Sequence, residues 1–427
     1  MAKKCVKVSV LGGGSFFVSS IIHGLQSLMT EEKFGVILSL YDINYERVKL
    51  MYDYCNTVIN YYRLPITVKI TEKRKDAIIN ADIVIISVGL KNIDTVAHSM
   101  LEEFGFNKHS VHDGPPSFVT AKLVFPWLKK LATDIKKYCP ETLVVNLVNP
   151  TDIICDIILS AFNIRVISMC VEIEHLRNHL AYYLDIPVDK IYMEYGGVNH
   201  DGWITKFEID GKNAYSIYRD RILSIVNRND FHPGLYGFVQ IYKLTGYFRS
   251  SGYHYWMYNF NNPYDTVENW GKFRRETDGI TVIKNAIRNN MPVLIPEKGV
   301  HPEKLNIPYP RTGKDIAKII QSTATGKKNI MPLQVRNTNN AISNFPSDVI
   351  VEISVIFNGK NFIPVKIGPI PDWLCSITRL LSIQRKLVTD YIISNDKNIL
   401  KEAVHVIPNL ATAENLIKFV DKLHQMR

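Results

Sequence analysis

The sequence predicts an α/β fold: a doubly wound parallel sheet in the N-terminal half, with a C-terminal α+β portion laid against it. Three observations lead there. Short apolar runs alternate with helical stretches through the first half, a spacing that suits parallel strands covered on both faces. The first run ends in Gly12-Gly13-Gly14-Ser15 and passes straight into a helical pattern, the strand–glycine–helix order of a nucleotide-binding turn. Beyond Trp203 the pattern changes to alternation broken by Asp-Gly and Asn-Gly, which marks antiparallel hairpins. At 427 residues the chain exceeds one core, and the expected division is 1–195 and 196–427.

Residues 6–11 open with alternation and end fully apolar, which predicts a buried strand, and 16–28 follow as a helix. The glycines let the backbone approach a pyrophosphate, and the helix N-terminus adds free N–H groups and a positive dipole. Phe17 stands where the usual third glycine would be. The next strand, 35–41, ends in Asp42. An acid there binds both ribose hydroxyls of NAD, or caps the helix expected over 44–62; the two roles are compatible. A third strand at 83–88 closes on Gly89, and strands alternating with helices imply right-handed crossovers.

After the turn-rich 112–116 a long helix is expected over 117–137. The apolar run 143–148 ends in Asn149-Pro150, with Asp152 in the first turn of the next helix. Amide side chains at a strand's C-terminal end lie where such a sheet binds its ligand, although Asn-Pro is also a common breaker. Residues 166–169 form another strand and deliver Cys170; an amphipathic helix and a proline turn follow, and a further strand is expected to open with Val198-Asn199-His200. A thiolate and an imidazole at two strand edges can meet across one cleft and hold a divalent metal. A small core cysteine and a histidine satisfied in a turn would look the same.

In the second half, 205–209 alternates into Asp210-Gly211, and 349–357 with 362–367 brackets Asn358-Gly359. The stretch 232–263 mixes aromatic rings with polar tips, as a pocket lining does. Residues 314–321 read as a short helix, 322–340 as a polar loop, and 371–391 as a long amphipathic helix.

Composition narrows the class. The chain is 46% hydrophobic and 22% charged, and no apolar run reaches the ~18–20 residues of a membrane span, so a soluble globular protein without a membrane partner is expected. Met1-Ala2-Lys3-Lys4 leads directly into a strand, and six scattered cysteines form no CxxC pair; a reducing cytoplasm is the expected compartment. The net charge of +10 comes from dispersed lysines and arginines with no basic-aromatic module, so no nucleic-acid partner is expected and a field drawing in anionic ligands remains.

Taken together, these motifs resemble glycoside hydrolase family 4, the glycosidases that use NAD and a divalent metal. The resemblance runs through Gly12–Ser15, Asp42, Asp113-Gly114-Pro115, Asn146-Leu147-Val148-Asn149-Pro150, Cys170, Gly197-Val198-Asn199-His200 and Trp203. It continues through Gly246-Tyr247-Phe248, Asn339-Asn340, Asn344-Phe345-Pro346, the helix from Leu374 with Gln384, and 403–408. The Asn-Pro strand alone also fits lactate and malate dehydrogenases, which share this Rossmann-like fold; Cys170 with Asn199-His200 does not.

The resemblance implies NAD on Gly12, Gly13, Gly14, Ser15, Asp42 and Asn146, and a metal on Cys170 and His200. Thiolate, imidazole and sugar oxygens suit manganese, without excluding iron, cobalt or nickel. Asn149 and Asn199 would meet a small glycoside substrate. The base for the carbon-2 proton is placed at His254, with Tyr258 and Tyr247 as further catalytic candidates. The family's reaction would oxidise carbon 3 transiently, eliminate the glycosidic oxygen and add water, an exception to the two-carboxylate scheme of other glycosidases. Gly246-Tyr247-Phe248 followed by His254 and Tyr258 is nearer the α-glucosidase, α-galactosidase and α-galacturonidase branch, and a homodimer or homotetramer is the family habit.

Two departures stand out. Val171 occupies a position where Asp, Asn or His assists leaving-group departure in some members, and the segment 249–254 is shorter than the branch pattern. A 2-hydroxyacid dehydrogenase and a non-catalytic sugar- or nucleotide-binding relative are the competing readings.

Overall fold

A computed structural model of the chain describes residues 5–30, 34–90, 92–105, 114–250, 279–293, 310–406 and 412–426. The parallel part is β1 (Cys5–Leu11), β2 (Gly35–Tyr41), β3 (Ile66–Ile70), β4 (Ile83–Ile86), β5 (Leu143–Asn146) and β6 (Val166–Ser168). These lie in the order β3-β2-β1-β4-β5-β6, the doubly wound arrangement of dinucleotide-binding sheets. Ile83 and Ile85 pack into the core on one face, while Val84 and Ile86 pack into the core on the other. That two-sided burial is why these strands read as unbroken apolar runs.

The sheet does not stop at β6. It continues through β7 (Ile191–Val198), β8 (Asp201–Ile209), β9 (Lys212–Asn213), β10 (Asn329–Arg336), β11 (Ile350–Phe357) and β12 (Phe362–Pro364). The order is β6-β10-β11-β7-β8-β9, antiparallel at every junction, with β12 paired to the end of β11. β6 meets β10 through Ser168 opposite Gln334, so the parallel and antiparallel halves join beside Cys170.

Several expectations change. β3 and the short helix Arg74–Ile78 after it add to the elements that the pattern predicts. The expected short helix extends to Pro310–Thr325, and the expected loop at 322–340 holds the end of that helix and then β10. The strand expected to open at Val198 instead ends there: Asn199-His200 is the two-residue turn between β7 and β8. The Asp210-Gly211 turn forms as predicted, with φ of 50° and 73°.

The helix Pro310–Thr325 crosses the first helix, Phe17–Met29, at backbone contact. A Cβ added at Gly24 would stand 2.2 Å from the Gly313 carbonyl oxygen, and one at Gly313 would stand 1.9 Å from that of Ser20. Glycine is required on both sides of that contact. No helix among the described residues is long and apolar enough to cross a membrane.

His23, one residue earlier, is buried with Nε2 2.7 Å from the Tyr54 hydroxyl. Burial pulls its pKa down to about 4 from 6.5. The unfolded chain therefore binds more protons between those values, and stability rises with pH across the window. His23→Gln keeps an acceptor and removes the titration. Relative to this variant, the wild type is expected to lose about 3 kcal/mol as the pH falls from 6.5 to 4, read from urea midpoints.

Candidate active site

Every N-terminal candidate residue that the structure describes lies at the C-terminal end of a parallel strand. Gly12 leaves β1 with φ +89°, and a Cβ there would stand 2.1 Å from the Ser87 carbonyl oxygen, so the turn needs glycine. The Gly12 and Gly13 N–H groups donate to the Tyr41 carbonyl at 3.0 and 2.8 Å. The Gly14 N–H donates to Asp42 Oδ2 at 2.9 Å, and the Asn44 N–H donates to Oδ1 at 2.9 Å. Asp42 thus fastens the glycine turn to the end of β2. The cap of the helix Tyr45–Tyr62 is Asn44, whose side chain accepts from the Arg47 N–H. Ser15 Oγ accepts from the Ser87 hydroxyl at 3.0 Å, closing the turn against β4.

Asn146 ends β5 fully buried. Its amide donates to the Val148 carbonyl, the Thr151 carbonyl and Ser168 Oγ, and its Oδ1 accepts from the Val148 N–H. These bonds hold the Asn149-Pro150 turn at the end of β5. Asn149 behaves differently. Its Oδ1 is buried with no hydrogen-bond partner.

Cys170 follows β6, and His200 sits at the tip of the β7–β8 hairpin with φ +58°. Thirty residues apart, they meet with Cys170 Sγ 3.0 Å from His200 Nε2. Burial pushes the Cys170 thiol up, against the pull of His200. With bond lengths of the size found for zinc, a thiolate and an imidazole around one tetrahedral ion stand about 3.6 Å apart, so the pair would open by roughly half an ångström to take a divalent metal. Among the described residues no group of three or more His, Cys, Asp and Glu side chains is placed to hold one. As ligands, the two side chains would leave positions open for substrate oxygens.

The structure adds residues that the motifs did not show. Glu172, beside Val171, brings Oε2 to 3.9 Å from His200 Nε2. Gln334 Nε2, from β10, donates to Asn199 Oδ1 at 2.9 Å and to Glu352 Oε2, on β11, at 3.1 Å. Burial, then Glu172, pushes the Glu352 carboxyl up to about 8. Asp201 pairs with Arg249 through Nε at 3.0 Å and Nη2 at 2.6 Å, and Arg249 lies over the Trp203 ring. Asn199 Nδ2 and Gln334 Oε1, like Asn149 Oδ1, are buried without partners. Buried polar atoms are normally satisfied, so three open ones around a Cys–His pair suit a hydroxyl-rich ligand.

The remaining candidates fall elsewhere. Tyr247 follows Gly246, which ends its helix at φ +77°, and packs edge-on against Tyr215 and Trp373. Asp113, His254 and Tyr258 lie outside the described residues.

Comparisons with known proteins place the chain in a family. The model described as family 4 glycosyl hydrolase matches residues 7–186, and that of the family 4 glycosyl hydrolase C-terminal domain matches 195–409. An alpha-galactosidase of Bacillus subtilis is 22% identical over 448 residues, covering 98% of this chain and 97% of that protein. A probable 6-phospho-beta-glucosidase of the same organism is 22% identical, covering 86% of this chain and 84% of its own length. The crystal structure of a 6-phospho-alpha-glucosidase from gut microorganisms, in complex with NAD and Mn2+, superposes with a TM-score of 0.78 at 16% identity, covering 98% of this chain and 97% of that one. The two family matches together span nearly the whole chain, and the chain belongs to glycosyl hydrolase family 4, a family of glycosidases.

Proposed function

We propose that this glycosidase acts on an α-glycoside with NAD and a divalent metal, manganese first. The observation that carries the reading is the Cys170–His200 pair, 3.0 Å apart at the ligand-binding edge of a doubly wound sheet. Bound NAD would supply a reversible hydride acceptor for sugar carbon 3, and a bound metal a Lewis acid for the oxygens on carbons 2 and 3, which makes the carbon-2 proton acidic.

The chain's own residues do the rest. Gly12, Gly13 and Gly14 would open the backbone for a pyrophosphate, and Asp42, half-buried, would take the ribose hydroxyls. Cys170 and His200 would hold the metal. Asn149 Oδ1, on the turn that Asn146 holds, would accept a sugar hydroxyl. His254, Tyr258 and Tyr247 remain the proposed base and its neighbours. Val171 offers no proton to the leaving group, so elimination proceeds best from substrates with good leaving groups.

Elimination needs no nucleophile on one sugar face, so binding sets the anomer. The α assignment draws on Gly246-Tyr247-Phe248 and the aligned alpha-galactosidase. A panel of α- and β-nitrophenyl glycosides, with and without a 6-phosphate, tests it with NAD, Mn2+ and a thiol reductant present. Turnover of an α-glycoside that stops when NAD or Mn2+ is omitted is expected. Turnover of β-glycosides alone would overturn the anomer, and NADH accumulating on a hydroxyacid would overturn the glycosidase reading. Binding without turnover would favour a non-catalytic relative.

A further inference from the structure

Both neighbours of His200 are gripped by one helix, Asp372–Ser394. Thr378 Oγ1 donates to Asp201 Oδ1 at 2.9 Å, and Arg385 Nη1 donates to the Asn199 carbonyl at 2.7 Å. Seven positions apart, Thr378 and Arg385 stand two turns apart on the same helix face. The hairpin tip therefore lies along that face, and the left-handed backbone at His200 is fixed on either side.

Arg385 makes a second connection. Nη1 also pairs with the carboxylate of Asp152, in the first turn of the helix Thr151–Phe162 and two residues beyond Pro150. Asp152 Oδ1 accepts the Ile153 N–H at 2.8 Å, which holds the carboxylate against its own helix. Asp152 is 2% and Arg385 9% exposed, so neither is a surface ion pair free to swing. One buried guanidinium thus joins the loop that carries Asn149 to the turn that carries His200. Its planar fork of donors is rigid, whereas a lysine would offer a single mobile point charge.

We propose that Arg385 is a positioning residue: it sets the distance between the Asn149 loop and the His200 tip, and so the geometry in which Cys170 and His200 hold a divalent cation beside a sugar hydroxyl. This rests on the reading of those three residues given under Proposed function. Arg385 itself touches neither cation nor sugar. It acts through Asn199, in the β7–β8 turn, and Asp152, in the first turn of the helix after β5, both apart from the strands that form the glycine turn.

The test uses the full chain and measures binding apart from turnover. Mn2+ affinity is titrated by electron paramagnetic resonance, NAD affinity by calorimetry, and Co2+ substitution reports thiolate charge-transfer absorption. Arg385→Lys and Arg385→Met are expected to weaken Mn2+ binding by roughly 10–100-fold, the range for partners that orient metal ligands, with NAD affinity unchanged. The Co2+–thiolate band should shift or fade in both. Asp152→Asn, which weakens one of the two connections, should lose less than Arg385→Met. Wild-type Mn2+ affinity and an unaltered Co2+ spectrum in both Arg385 variants would overturn the proposal. So would a parallel loss of NAD binding in all three variants, which would mark Arg385 as a folding residue. A wild-type chain that binds NAD but neither Mn2+ nor Co2+ would overturn this inference and the Cys170–His200 reading together.

Discussion

Cys170→Ala and His200→Ala are each expected to strip the divalent metal and to lower turnover on the order of 1,000-fold, while NAD still binds. The size follows from the several kcal/mol that a Lewis acid contributes to a developing negative charge, about 1.4 kcal/mol per factor of ten. The survival of NAD binding follows from placement. Gly12–Gly14 and Asp42 leave β1 and β2, whereas Cys170 leaves β6 and His200 caps the β7–β8 hairpin. Cys170→Ser is a sharper variant: it keeps the volume but exchanges a soft thiolate for a weak hydroxyl ligand, so it should lose metal nearly as completely. Full manganese occupancy by elemental analysis in both alanine variants would move the metal site elsewhere.

The second large effect is on stability. Asp201→Ala deprives Arg249 of the carboxylate that grips it through two nitrogens at 3.0 and 2.6 Å, with both residues buried. Breaking a buried pair by removing one partner costs about 3–5 kcal/mol, because the remaining charge keeps its desolvation penalty. Asp201→Asn keeps the shape and the Thr378 contact and should cost less. The loss also reaches the site, since Asp201 adjoins His200 and the Trp203–Arg249 bridge ties β8 to the chain at Phe248–Ser250. A fall of the urea midpoint together with weakened metal binding is the expected result. An unchanged midpoint in Asp201→Ala would show that the pair adds nothing to the fold.

The parallel strands were legible because burial on two faces forces apolar runs, and Gly12 and Asp42 because a turn and a strand end need those residue types. β3 was missed for the opposite reason: Ile66–Ile70 lies at the sheet edge, where Thr67 and Lys69 can face water and dilute the pattern. β10 was hidden by Asn329, Pro332, Gln334 and Arg336. Pro332 is tolerated because β6 has already ended at the level of Gln334. Gln334 and Glu352 became site neighbours only through a cross-strand register that no local spacing encodes. The contact of Arg385 with Asp152, 233 positions away, joins two helices by tertiary packing that one sequence does not encode locally either. Cys170 and His200 carried a signal through the motifs around them, while their 3.0 Å approach is a product of the hairpin.

The most direct test of the account is the fate of the hydrogen on sugar carbon 2. A direct displacement at carbon 1 never breaks that bond. Elimination from a transiently oxidised sugar must break it, because only a neighbouring carbonyl makes the proton acidic enough for a side chain to take. Turnover in D2O with NAD and Mn2+ present, followed by magnetic resonance of the released sugar, reads the outcome without knowledge of which residue is the base. Deuterium at carbon 2 of the product is the predicted result. Full protium at carbon 2, from an enzyme whose turnover still requires NAD, would contradict it.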